Sequence, residues 1–161
     1  MACSPYYFGE LKPSHHNYLF SLMLSTVGDR PLGLEAAQLG AAIAMDRSRL
    51  GQPVRLVAKG RRASLVALVA AALAGEGQLT EVVLHESLGS LKQVIEEKLS
   101  YNDAPELFSF GLLEAFDIRQ IAAMAAPAKL TFAGASDRAK KELAGLDGWW
   151  KLLGTPHNPI G

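Results

Sequence analysis

Hydrophobic positions along this chain gather into three short runs, set among longer amphipathic or alanine-rich stretches. The first run, Pro53-Val-Arg-Leu-Val-Ala58, passes through Lys59-Gly60-Arg61-Arg62 into an apolar stretch over residues 63–74 that Gly75 ends. A β-branched run after proline predicts a buried strand, and the longer run closed by glycine predicts a helix. Two further runs, Glu81-Val-Val-Leu-His85 and Ala128-Lys-Leu-Thr-Phe-Ala133, predict two more strands. Ahead of them, Ser14 is a candidate cap for a helix over residues 17–24 that Gly28 stops, and Pro31 opens a second helix over residues 32–45. Leu34, Leu39 and Ile43 make a plausible apolar face for that second helix. Helices are also expected over residues 88–99, 107–116, 118–125 and 138–143, with Asp117 as an N-cap and Pro127 as a breaker, and a short one around Trp149-Trp150.

Strands alternating with helices imply parallel βαβ units with right-handed crossovers. Strands apolar on both sides need helices on both faces, so the expected fold is α/β, a three-layer αβα arrangement around a sheet of about three strands. Residues 1–13 read as a loop, 14–153 as the domain and 154–161 as a proline-rich tail.

Composition narrows the classes of function. The 161 residues suit one domain, and 49% hydrophobic content supports a real core. Sixteen basic and sixteen acidic residues cancel, so no global field draws the protein to nucleic acid. The single cysteine, Cys3, has no partner for an internal disulfide, and no Cys/His grouping has zinc-ligand spacing, so no metal is expected. His15-His16 read as a solvated helix start. The longest apolar run is well short of the ~20 residues of a membrane span, and the first residues lack signal-peptide features. A cytoplasmic location is the default expectation, open if the chain is a piece of a longer secreted protein.

In open α/β sheets the chemistry sits at the carboxyl ends of the strands. Lys59, Gly60, Arg61 and Arg62 occupy that place at a helix N-terminus, where free N–H groups favour an anion, and they form a candidate phosphate or carboxylate site. No P-loop or dinucleotide spacing accompanies them, so no cofactor is expected.

Taken as an ordered set, Tyr7-Phe-Gly-Glu10, Gly28-Asp-Arg-Pro-Leu-Gly-Leu-Glu-Ala36, residues 54–74, residues 81–85 and Leu130-Thr-Phe-Ala-Gly-Ala-Ser-Asp137 resemble the second half of an α/β-hydrolase. The similarity is greatest to the acetyl-xylan-esterase and dienelactone-hydrolase-like group, and it spans residues 7–153. It implies a partial hydrolase fold whose three strands lie side by side in sequence order, and in which the strand before the chain's start, the strand carrying the oxyanion loop and the final strand are missing. The family's G-x-S-x-G nucleophile elbow falls on Ala58-Lys59-Gly60-Arg61-Arg62, which puts Gly60 in the serine's place. The family's acid falls on Asp137, which reads equally as a helix cap, and His157 is the one late candidate for its histidine. Ser64, expected to bond back to the carbonyl of Gly60, and Ser87 and Ser136, near His85 and Asp137, are weak substitutes for the nucleophile.

The resulting expectation is a non-catalytic hydrolase-like domain, or a fragment of an esterase-like protein, acting as a structural or interaction module. An esterase using an atypical serine and an anion-binding module are the alternatives. Partners are expected through open sheet edges, either further copies in a homo-oligomer or the remainder of a larger hydrolase-like protein, with neither nucleic acid nor membrane among them.

Overall fold

The computed structural model describes residues 2–12 and 17–160, so the expectations for Ser14, His15 and His16 lie outside the described residues. Two helices open the domain, α1 (Asn17–Thr26) and α2 (Pro31–Leu50). β1 (Val54–Lys59), α3 (Arg61–Leu73) and β2 (Leu79–His85) follow, then α4 (Lys92–Glu96), α5 (Leu112–Ala115) and α6 (Ile118–Met124). β3 (Lys129–Ala133), α7 (Asp137–Glu142) and α8 (Asp147–Leu152) complete the chain. The protein is a mixed α/β fold with one three-stranded parallel sheet in the order β1-β2-β3, as the alternation of elements predicts.

Side chains alternate across the sheet. Leu56, Val82 and Leu130 form one row, and Ala58, Leu84 and Phe132 the next, on the face that α3 covers. The central residues of these rows are fully buried, and α3 meets them with Leu65, Leu68 and other small apolar side chains. The rows of the opposite face, Arg55–Glu81–Lys129 and Val57–Val83–Thr131, are far more open at β1, where Val57 stands half exposed.

Local chemistry accounts for where the expected elements changed length. α2 runs past residue 45 to Leu50, because its stop is Gly51 in the left-handed region (φ 68°), whose N–H bonds the carbonyl of Arg47. Its buried stripe is Leu32, Ala36, Leu39 and Ile43, while Leu34 is on the exposed side, which corrects the expected face. The helix foreseen over 88–99 shrinks to α4, since the Gln93 side chain accepts from the amides of Gly89 (2.8 Å) and Ser90 (3.2 Å) and holds them in a loop. The stretch 107–116 is split by Gly111 (φ 78°) into a 3₁₀ turn at Pro105–Phe108 and the single turn of α5.

Asp117 caps α6 as expected, and it does more. Its Oδ1 accepts from the amides of Ile118 (2.7 Å) and Leu91 (2.6 Å), and its Oδ2 accepts from the Ser90 hydroxyl (2.6 Å). One carboxylate thus ties the loop after β2 to the helix before β3.

The two ends of the chain are loop and tail as expected, but both pack onto the domain. Tyr7, at φ 69°, is 1% exposed and takes part in the core. At the other end the tail lies along β3: the Phe132 amide donates to the Pro159 carbonyl (2.8 Å), and His157 Nε2 is 2.6 Å from the Leu130 carbonyl oxygen. Trp150, fully buried, is a wall for this tail, with its ring centroid 6.0 Å from that of His157 and its indole N–H on the Ala128 carbonyl, whereas Trp149 stays exposed. Only one of the two expected open edges is therefore open.

That edge is β1. The amides of Val54 and Gly60 donate to Gln78 and His85, so even-numbered residues point their backbone groups at β2. The backbone groups of Arg55, Val57 and Lys59 point outward, and among the described residues no hydrogen bond from the N-terminal loop reaches them. Instead a groove of about 520 Å³ runs along the strand between that loop, α2 and α3.

Among the described residues no helix is long and apolar enough to cross a membrane.

Candidate functional site

The turn between β1 and α3 stands at the carboxyl end of β1, beside the carboxyl end of β2. Gly60 occupies it at φ 87°, ψ 157°, a conformation that is essentially restricted to glycine. The turn is held by the backbone of His85, whose carbonyl accepts from the Gly60 amide (2.9 Å) and from the Ser64 hydroxyl (3.1 Å). Ser64 thus bonds across to β2, and it is its amide that reaches the Gly60 carbonyl, which corrects the expected back-bond. A buried hydroxyl committed to a backbone carbonyl offers no free nucleophile.

The other serines are equally engaged. Ser87 Oγ donates to the carbonyl of Leu88 (3.1 Å). Ser136 is the N-cap of α7, accepting from the Ala139 amide (3.2 Å), so the cap role expected of Asp137 belongs to its neighbour. Asp137 is fully solvent-exposed in the first turn of α7, 4.0 Å from Lys140. His157 is half-buried against Trp150 at the β3 edge, with its Nε2 on the Leu130 carbonyl. The structure does not join these residues by any serine–histidine or histidine–aspartate hydrogen bond.

Each cation of the basic turn faces an acid. Lys59 is 3.6 Å from Glu86, Arg61 is 2.6 Å from Glu97, and Arg62 grips both carboxylate oxygens of Glu106. The Glu97 carboxyl is held below its usual range by the Gln93 side-chain hydrogen bond first and by Arg61 as well. An incoming phosphate would have to displace these carboxylates, and the anion reading of Lys59, Gly60, Arg61 and Arg62 has no unpaired charge behind it.

Beneath the turn lies a buried polar cluster that the sequence reading missed. Glu106 is fully buried, and the guanidinium of Arg62 that neutralises it lies over the Phe8 ring at 4.6 Å. Glu35 is also fully buried, and neither of its carboxylate oxygens has a hydrogen-bond partner. Burial above all, then the charge of Glu106, pushes the Glu35 carboxyl up to about 9 against the opposing pull of Arg62, so it is neutral at pH 7. The Tyr7 hydroxyl accepts from Ser21 Oγ (3.0 Å), and burial raises its pKa as well. The signal for Glu35 was present in the spacing: it falls between Leu32 and Leu39, beside Ala36, on the apolar stripe of α2.

Among the described residues no group of three or more His, Cys, Asp or Glu side chains is placed to hold a metal ion.

No family model matches the chain, no curated protein matches it, and no solved structure matches it.

Proposed function

We propose that the chain is a non-catalytic α/β-hydrolase-like domain, a partial form of that three-layer fold, serving as a structural and interaction module of an esterase-like protein. The observation that carries this reading is Gly60, which stands where the resemblance puts the nucleophile and is held at φ 87° in a turn closed by the His85 carbonyl. The commitments of Ser64, Ser87 and Ser136 to other partners support it, since each hydroxyl is already used in holding the fold. The unpaired outer edge of β1 supports the interaction half of the reading, because such an edge is a template for another strand. The partner would be another copy or a further hydrolase-like polypeptide that continues the sheet.

Incubation with p-nitrophenyl acetate and with a fluorophosphonate probe tests the catalytic half. Neither turnover nor labelling is expected, and labelling at Ser64, Ser87 or Ser136 would replace this reading with that of an atypical serine esterase.

A further inference from the structure

We infer that residues 2–12 form a strap over the buried carboxyl of Glu35, that loss of the Glu35 proton lifts this strap, and that the lifted strap opens the groove beside β1. The inference goes beyond the reading above and holds whether or not the domain is catalytic.

The strap is lightly held. Of its residues only Tyr7 is buried; Pro5, Tyr6 and Phe8 are half-buried and the others are exposed. Among the described residues its polar ties to the domain are the Tyr6 amide on Gln38 Oε1 (2.8 Å), the Ser21 hydroxyl on the Tyr7 hydroxyl (3.0 Å), and Arg62. Arg62 Nη2 donates to the Tyr7 carbonyl at 3.5 Å, and its guanidinium lies over the Phe8 ring. The rings of Tyr6 and Tyr7 rest on Phe20 of α1. Tyr7 stands at φ 69°, which residues other than glycine seldom adopt, so release relieves strain there. A segment with so few buried contacts opens at a lower free energy than the core beneath it.

Glu35 is the trigger. It is fully buried, and neither carboxylate oxygen has a hydrogen-bond partner. Arg62 acts on it from α3, Glu106 from the 3₁₀ turn and Tyr7 from the strap. Tyr6 and Tyr101 are further phenols around Tyr7, while Glu10 and Lys12 of the strap face solvent. α1, which reaches Tyr7 through Ser21, has no charged side chain and one titratable one, Tyr18. On α2 itself the nearest charges are Arg30 at the N-cap and Asp46 three turns further on.

One cation therefore stands against two carboxyls, and it is already committed to Glu106 and to the strap. While Glu35 keeps its proton the group of three is neutral overall. A charged Glu35 finds no donor in place and competes with Glu106 for the guanidinium on which the strap leans. Leu65 and Leu68 fix α3 in the core, and Leu107 fixes the 3₁₀ turn, so the strap is the neighbour that yields and admits water. Burial and the charge of Glu106 keep the carboxyl protonated up to about 9 in the closed form, whereas a solvated carboxyl ionises near 4.5. The open form thus gains about tenfold over the closed one for each pH unit between those values. Ser4, Pro5, Phe8 and Gly9 belong to one wall of the groove, so lifting the strap widens it along α2 and β1.

Deuterium exchange of the full chain, read by mass spectrometry on peptic fragments between pH 6 and 9 with exposure times scaled to intrinsic amide rates, tests this. The strap offers hydrogen-bonded amides at Tyr6, Phe8, Leu11 and Lys12, and Val82 to Leu84 of β2 serve as the core reference. The strap is expected to exchange at least a hundredfold faster than the reference at every pH, and its protection should fall about tenfold per pH unit. In Glu35→Gln its protection should stay within twofold across the range, and Glu35→Leu takes the place of that variant if it does not fold. Strap protection that does not change with pH in the unsubstituted chain would overturn the inference, whatever the variants do. So would strap exchange at the rate of the core, which would mean that the strap moves only in global unfolding, or a slope that survives either substitution.

Discussion

The amide of Phe132 donates to the carbonyl of Pro159 at 2.8 Å, and through that bond the last residues of the chain lie along the outer edge of β3. With His157 on the Leu130 carbonyl and against Trp150, the tail supplies the two backbone contacts that a fourth strand would otherwise make. The sheet is closed on this side and open at β1, so β1 is the edge with outward-pointing backbone groups among the described residues.

Removing residues 155–161 should therefore expose the β3 edge and the Trp150 face together. Loss of two hydrogen bonds and of ring packing predicts a destabilisation of about 2–4 kcal/mol in urea titration. His157→Ala alone should lose about 1–2 kcal/mol, and the Phe132 amide, protected from hydrogen exchange in the intact chain, should exchange faster in the truncated one.

Glu35 predicts a pH dependence whose sign follows from its raised pKa. The folded state keeps the proton up to about 9, while the unfolded chain releases it near 4.5, so between these values the folded state binds more protons. Stability is then greatest below the lower value and declines as pH rises towards the higher one, by roughly 1.4 kcal/mol per pH unit at most. The groups that act on it are Glu106 and Arg62, with Tyr7 alongside. Glu35→Gln should flatten the urea-midpoint profile between pH 5 and 9, and an unchanged slope would show that another group carries it.

Gly60→Ser restores the side chain that the resemblance asks for at the elbow, and it should restore no activity. A new Cβ would meet nothing within 4 Å, so there is room, but φ 87° and ψ 157° disfavour any L side chain. The expected cost is about 1–3 kcal/mol of stability. No labelling by a fluorophosphonate should follow, because His157 is held at the far edge of the sheet and Asp137 is in solvent.

The two arginines of the basic turn should behave very differently. Arg62→Ala leaves Glu106 buried and unpaired, a loss of about 3–5 kcal/mol in thermal or urea unfolding. Arg61→Ala removes a half-exposed pair with Glu97 and should cost under about 1 kcal/mol. Similar losses at both positions would mean that the burial of Glu106 is not what fixes the difference.

Legibility of this fold in its sequence follows the range of the interactions. The three strands, α2, α3 and the Asp117 cap are written in local periodicity and punctuation, and the strand order agrees with that implied by the resemblance. The tail was hidden because proline has no amide to donate, and sequence patterning therefore discounts it as a strand. Pairing at β3 needs only the carbonyl of Pro159 and an imidazole nitrogen. The basic turn looked like a site because Lys59, Arg61 and Arg62 are adjacent in sequence. Their acids, Glu86, Glu97 and Glu106, lie far along the chain on three separate segments, where spacing gives no sign of them.

The clasp at Asp117 has an evolutionary consequence. One carboxylate holds Leu91 at one end and Ile118 at the other, while the residues between them pack into the core through Val94, Ala104 and Leu107. A segment exchanged between those ends would have to supply that apolar packing again for α2 and α3 to keep their seat. It would also carry away Glu97 and Glu106, the acids that silence Arg61 and Arg62. Exchange of this stretch, with its packing kept, is thus a route by which a descendant of this chain frees Arg61 and Arg62 while Lys59 stays beside Glu86.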